Sequence, residues 1–153
     1  MEQRKDKEKT LSAGTLLFVA CWAAYCASYL GRINYTAALT AIGADGVVSH
    51  AGFIGTVYFF CYGAGQIFSG ILGDRVSPYK MIGAGLAGTV CANIIMPLCS
   101  SSYITMSIIW GLNGIVQSML WTPVLYIIAT VLPEEQRSRA CLHIASSFPI
   151  GSL

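Results

Sequence analysis

Charge is what this sequence has least of. Only 10% of its 153 residues are Asp, Glu, Lys or Arg, against roughly 25% in soluble domains, while 55% are hydrophobic. Such a composition excludes an ordinary soluble domain, and nine scattered Lys and Arg residues leave no basic patch that would suit nucleic acid. Other absences narrow the chemistry. No Asp or Glu lies inside the long apolar stretches, and neither an HExxH pattern, paired carboxylates nor a serine with a partnering base appears in them. The six cysteines (Cys21, Cys26, Cys61, Cys91, Cys99 and Cys141) have no metal-ligand spacing and read as small buried thiols. No metal, no cofactor and no enzymatic activity is expected.

What is present is a set of charge islands separated by uncharged runs. The islands are MEQRKDKEK at the N-terminus, Asp45 alone, DRVSPYK from Asp74 to Lys80, and EEQRSR from Glu134 to Arg139. A hydrocarbon core roughly 30 Å thick needs about 20 apolar helical residues. The runs between the islands predict spans over 11–39, 51–72, 81–98 and 103–131, behind a charged cytoplasmic tail of residues 1–10. GADG, Pro78, the serines at 100–102 and Pro133 supply the turns between them. The length of the first apolar run, and the spans that follow it, set it apart from a secretory signal peptide. A fifth apolar stretch begins near Ala140 and stops at Leu153, a rise of only about 21 Å as helix. The expectation is therefore an all-α integral membrane chain whose residues 11–153 are an N-terminal half-domain truncated within its fifth helix.

Lys and Arg set the orientation. Arg4, Lys5, Lys7 and Lys9 precede the first span, Arg75 and Lys80 separate the second and third, and Arg137 and Arg139 follow the fourth; the alternate loops hold none. The N-terminus is expected in the cytoplasm of a cell whose plasma (inner) membrane the chain crosses several times. One cation breaks the pattern. Arg32 is flanked by uncharged residues from Thr10 to Gly31 and from Ile33 to Ala44, and a charge within hydrocarbon costs roughly 2.5–3.5 kcal/mol even on the gentlest scale.

Helical spacing gathers Tyr25, Ser28, Tyr29, Arg32, Tyr35 and Thr36 into one polar, aromatic stripe, with Ala23, Ala27, Leu30 and Ile33 opposite. Matching stripes run through Tyr58, Tyr62, Gln66 and Ser69 on the second span and Trp110, Asn113, Gln117 and Trp121 on the fourth. On the third, Ala84, Gly88 and Ala92 form a small-residue face suited to close helix packing. A buried guanidinium offers a planar fork of donors and keeps its charge, so a small anionic solute carrying carboxylate or phosphate is its natural partner. The alternative for Arg32 is a snorkelling side chain at the outer interface.

GILGDRVSPYK, from Gly70 to Lys80, resembles the signature between the second and third helices of the major facilitator superfamily: Gly70, Asp74, Arg75 and Lys80 match, while Ser77 replaces a usual glycine and Tyr79 a usual basic residue. LPEEQRSRA, from Leu132 to Ala140, is similar to the segment after the fourth helix. That resemblance implies a twelve-helix transporter of two six-helix halves, here helices 1–4 and part of 5, whose absent C-terminal half would be a partner alongside the lipid bilayer. It also implies a cytoplasmic gate formed by Gly70, Asp74, Arg75, Lys80, Arg137 and Arg139.

YLGRINY, CYGAGQIFSGILGDRVSP and GLNGIVQSMLWTP look like the corresponding segments of the organophosphate:phosphate antiporters within that superfamily, a likeness covering most of Tyr25 to Arg139. It implies a secondary active transporter that exchanges a phosphorylated sugar or glycerol derivative for phosphate by alternating access. Arg32 would hold the phosphate group, and Tyr25, Tyr29, Tyr62, Gln66, Asn113, Gln117 and Trp121 would complete the substrate shell. Glycerol phosphate carriers have lysine where Gln66 stands, and histidine and tryptophan where Phe148 and Ile144 stand, so fewer cations are expected here. Proton-coupled members usually carry an arginine where Ser107 precedes Gly111, which disfavours proton coupling. A carrier of a sugar acid or other carboxylate, and a transporter-like membrane sensor of sugar phosphate, are the alternatives.

Overall fold

The structure, a computed structural model, describes residues 2–42, 49–99, 101–147 and 150, with side chains described from residue 14 onward except at 37–48. Among the described residues five α-helices run in order: α1 Glu2–Ile42, α2 Ala51–Gly73, α3 Pro78–Ile95, α4 Tyr103–Val131 and α5 Glu134–Ala145. Four of the described segments are long and apolar enough to cross a membrane, at Gly14–Thr36, Ala51–Gly73, Pro78–Cys99 and Tyr103–Val131. They correspond to the four expected spans. The all-helical membrane architecture is thus the one that the charge islands predict.

Helix ends follow local chemistry. Pro78 opens α3 at its first turn, where its missing N–H costs no helical bond and its fixed φ suits the helix. Pro97 falls in a short 3-10 turn, Met96–Cys99, that finishes the third span. Pro133 stands at the N-cap of α5, so the EEQRSR island expected as a loop is instead the first turns of a helix, with Glu134 and Glu135 at its positive end. The charged N-terminal segment is likewise helical from Glu2, continuous with the first span. The expected GADG turn lies outside the described residues.

α4 is the central pillar, packing on α1, α2, α3 and α5. In hydrocarbon, close van der Waals fit and interhelical polar contacts hold helices together, so small residues at crossings matter most. At the α2–α4 crossing a Cβ added to Gly114 would stand 2.5 Å from the Tyr58 carbonyl oxygen, and one added to Gly65 would stand 2.5 Å from the Ser118 hydroxyl. Against α3, Cβ atoms at Gly85 and Gly88 would press on Val116 and Leu120 of α4 at 2.9 Å. Of the expected small-residue face of α3, Gly88 and Ala92 meet the bundle, joined by Met81, Gly85 and Thr89, whereas Ala84 is exposed.

Two apolar clusters result. Near the α4–α5 junction, Cys21, Tyr25, Leu120, Val124, Ile127, Ile128, Leu132, Ala140 and Ile144 pack together. Toward the other end, Tyr35, Ile54, Tyr58, Met96, Met106 and Trp110 form a second core. Along α1 and α4 the stretch between them is polar, carrying Ser28, Arg32, Asn113, Gln117 and Ser118. Of the cysteines, Cys21 is buried as expected, but Cys91 and Cys141 are exposed on the surface of the bundle. Thr36, expected on the polar stripe of α1, is exposed as well.

The glycine contacts give a direct test. Gly114→Val should split the α2–α4 crossing, costing about 1–3 kcal/mol or more because the clash is with backbone. Gly63→Ala, whose added Cβ meets nothing within 4 Å, should be neutral. Thermal unfolding of the detergent-solubilised protein would separate them, and an unperturbed Gly114→Val protein would contradict the packing.

Candidate functional site

Gln117 sits equidistant from the two ends of α4, so whatever it binds is near the middle of the span. Arg32 donates from Nε to Gln117 Oε1 at 3.2 Å. The guanidinium is thereby held between the helices, level with the midpoint of α4. Gln117 Oε1 also accepts from the Tyr58 hydroxyl at 2.8 Å, and Gln117 Nε2 donates to the Ser28 carbonyl at 3.4 Å. One buried amide thus ties together α1, α2 and α4.

Aromatic rings surround the cation. The Arg32 Cζ lies 4.8 Å from the Tyr29 ring centroid, 5.0 Å from Tyr62 and 5.4 Å from Tyr58. Each is within cation–π range, where the negative face of the ring offsets part of the desolvation of the charge. Tyr25 packs edge-on to Tyr29 and tilts against Trp121, with centroids 5.3 and 5.2 Å apart. Tyr35 and Tyr58 both pack on Trp110, sealing the far side of the polar layer.

Beside this cluster opens a cavity of ≈ 440 Å³, lined by Tyr25 and Tyr29 from α1, Tyr62 and Gln66 from α2, Trp121 from α4, and Ile144, Ala145 and Ser147 at the α5 end. Its volume suits a small organic molecule, and its lining combines apolar rings with a few hydroxyl and amide groups. α5 is tied to α1 by the Trp22 indole N–H donating to Ser146 Oγ at 3.3 Å, and by a Cys26 thiol contact to the Ser147 carbonyl at 3.6 Å.

Of the expected substrate-shell residues, Tyr25, Tyr29, Tyr62, Gln66 and Trp121 share the cavity wall, Arg32 lies over the Tyr29 and Tyr62 rings, and Gln117 stands behind it as its hydrogen-bond acceptor. Asn113 stands apart. It is fully buried, and neither its Nδ2 nor its Oδ1 has a hydrogen-bond partner among the described residues. Ile144, aligned with the tryptophan of glycerol phosphate carriers, lies on the cavity wall; Phe148, aligned with their histidine, falls outside the described residues. His143 is exposed. The expected shell omitted Tyr58, although it stands one helical turn before Tyr62 on the same stripe. That spacing was the signal for it.

The expected gate residues gather at one end of the bundle, where α2 ends, α3 begins and α4 passes into α5. Gly70, Asp74, Arg75, Lys80, Arg137 and Arg139 are all exposed there. Gly70, Gly73 and Asp74 border a small cleft with Pro78, Met81, Thr122, Pro123 and Tyr126. Arg137 donates from Nε to the Leu132 carbonyl at 2.9 Å, closing the turn into α5.

Four apolar helices long enough to cross a membrane define a multi-pass membrane protein, with an arginine and a cavity between its helices. The sequence pattern described as Major Facilitator Superfamily matches residues 21–153, and the chain belongs to that superfamily. Within it the likeness is to the organophosphate:phosphate antiporter branch. The chain is 32% identical over 109 residues to a probable hexose phosphate transport protein of Chlamydia pneumoniae, covering 70% of this chain and 24% of that protein. It is 31% identical over 103 residues to the membrane sensor protein UhpC of Escherichia coli strain K12, covering 66% and 23%. A glycerol-3-phosphate transporter of Bacillus subtilis strain 168 is 28% identical over 111 residues, covering 70% and 25%. The chain thus spans about a quarter of the length of the curated relatives it matches. No solved structure matches it.

The Asn113 amide is buried with no partner among the described residues. Leu has the same branched skeleton, somewhat bulkier, without donors or acceptors, so Asn113→Leu should raise stability by up to about 1–3 kcal/mol, the desolvation cost of unpaired polar groups, less any overpacking. A lowered thermal midpoint would mean that the amide has partners in the folded protein.

Proposed function

We propose that this chain is the N-terminal membrane half of a secondary transporter that carries a small phosphorylated solute, a sugar or glycerol phosphate, by alternating access in exchange for phosphate. The observation that carries this reading is the Arg32 guanidinium, held by Gln117 at the level of the α4 midpoint beside the rings that line the ≈ 440 Å³ cavity. A permanently charged fork in a low-dielectric layer strongly favours an oxyanion. The relatives named for hexose phosphate and glycerol 3-phosphate transport support the substrate class. In this reading Tyr25, Tyr29, Tyr62, Gln66 and Trp121 form the chamber wall, and Asn113 and Gln117 belong to the polar layer behind it.

The second half of the chamber comes from a C-terminal half that faces this one. Gly70, Asp74, Arg75, Lys80, Arg137 and Arg139 close the cytoplasmic end in one conformation and release it in the other, through surface charge contacts weak enough to reverse. The Lys and Arg asymmetry supports a cytoplasmic N-terminus, and the proposed exchange of solutes with the surroundings suits the plasma membrane.

The likeness to a protein named as a membrane sensor favours one other reading, a receptor that binds sugar phosphate without moving it. Both are tested by exchange of labelled glucose 6-phosphate, glycerol 3-phosphate or a sugar acid into phosphate-loaded vesicles containing the complete protein. Arg32→Ala should reduce exchange at least about a hundredfold, consistent with loss of a charge-assisted contact of roughly 3 kcal/mol, and Arg32→Lys should restore only part of it. Saturable binding without flux supports the sensor. Preference for the sugar acid replaces phosphate with carboxylate as the recognised group, and undiminished exchange by Arg32→Ala sinks the proposal.

A further inference from the structure

We propose that Tyr58 is a positioning residue for the anion-gripping guanidinium: through Gln117 it fixes Arg32 so that an oxyanion is received end-on, by Nη1 and Nη2. The inference rests on the reading of Arg32 as the anion site. Tyr58 is only 1% exposed, so its hydroxyl cannot touch a solute in the cavity. Its hydroxyl donates at 2.8 Å to Gln117 Oε1, the same atom that accepts from Arg32 Nε.

That shared acceptor has a geometric consequence. Arginine has no acceptor, so only the oxygen of the Gln117 amide can face Nε. The Tyr58 hydroxyl donates into the same oxygen, and the amide nitrogen is held by the Ser28 carbonyl. Turning the amide over would set its NH2 against Nε–H and forfeit the Ser28 contact. The amide is therefore locked, and with it the guanidinium edge that carries Nε.

An arginine can hold an oxyanion by Nε with one Nη, or by both Nη groups. With Nε engaged by Gln117, the end-on pair remains. The Tyr29 and Tyr62 rings, which border the cavity, flank the same group and limit its rotation. A two-donor edge suits two oxygens of a phosphate group in parallel bonds. Tyr58 thus sets which edge of the cation meets the solute, although it never contacts it.

The test uses the complete protein in nanodiscs, with inorganic phosphate as the probe and 15N-labelled arginine for NMR. The Arg32 Nε–H resonance is identified by its disappearance in Arg32→Lys. Without anion, Tyr58→Phe should speed its exchange with water roughly tenfold, since removing one donor frees the amide to move. With phosphate, Tyr58→Phe should weaken binding roughly five- to tenfold while the thermal midpoint stays within about 2 °C.

Gln117→Met removes the acceptor at similar length and should weaken binding further. The double variant should be little weaker than Gln117→Met alone, because the phenylalanine keeps the ring over Arg32 and the lost hydroxyl acts chiefly through that oxygen. Additive losses, unchanged exchange of Nε–H, or wild-type phosphate affinity in Tyr58→Phe would each overturn the positioning role. If phosphate affinity falls in Arg32→Ala yet not in Tyr58→Phe, the anion site stands and only this inference fails. If Arg32→Ala binds phosphate as well as wild type, both fall.

Discussion

A single carbonyl oxygen, Oε1 of Gln117, organises the middle of this bundle. It accepts from the Arg32 guanidinium and from the Tyr58 hydroxyl, and its own amide nitrogen reaches the Ser28 backbone. Charge at mid-membrane is tolerated only when neighbouring groups stand in for water. Here the substitutes are one amide and the faces of three tyrosine rings. They solvate the cation within the bundle, which is what the proposed anion site requires of them.

Packing serves this arrangement. The approach of α2 to α4 depends on Gly65 and Gly114, whose missing side chains let Tyr58 come close to α4 and reach Gln117. On the opposite flank Gly85 and Gly88 seat α3 against Val116, immediately before Gln117 on α4. The apolar clusters on either side of the polar layer then keep it shielded, one around Trp110 and one around Leu120 and Val124. Helix α5 completes the cavity wall through Ile144 and Ala145. Membership of the Major Facilitator Superfamily accords with this plan, in which helices of one half-domain each give one face to a shared chamber.

Much of the fold was legible before any coordinates. Uncharged runs bounded by charge islands predict spans because hydrocarbon rejects unpaired charge and unsatisfied backbone, and the four spans correspond. The stripes on the first, second and fourth spans were legible too, since three- and four-residue spacing is a property of one helix. Relations between helices were less so. On α3, Gly88 and Ala92 of the expected face meet the bundle, but Gly85 takes the place expected of Ala84, because fit against Val116 and Leu120 decides which small residue sits at the crossing. Charged residues at 134–139 read as a loop, yet Pro133 starts a helix through them.

The site shows the same division. The residue types came from the sequence alone: a lone arginine in an apolar span, tyrosines and amides at helical spacing, and no acidic partner at depth. Which of them meet was decided by the tertiary structure. Tyr58 and Gln117 are 59 positions apart, and nothing in their local patterns says that one oxygen serves both Tyr58 and Arg32. Nor could spacing separate Asn113, sealed and unpartnered, from Gln117 four residues later on the same stripe. Helical periodicity specifies the face on which a side chain stands, whereas the depth and rotation at which two helices cross depend on the shapes of both.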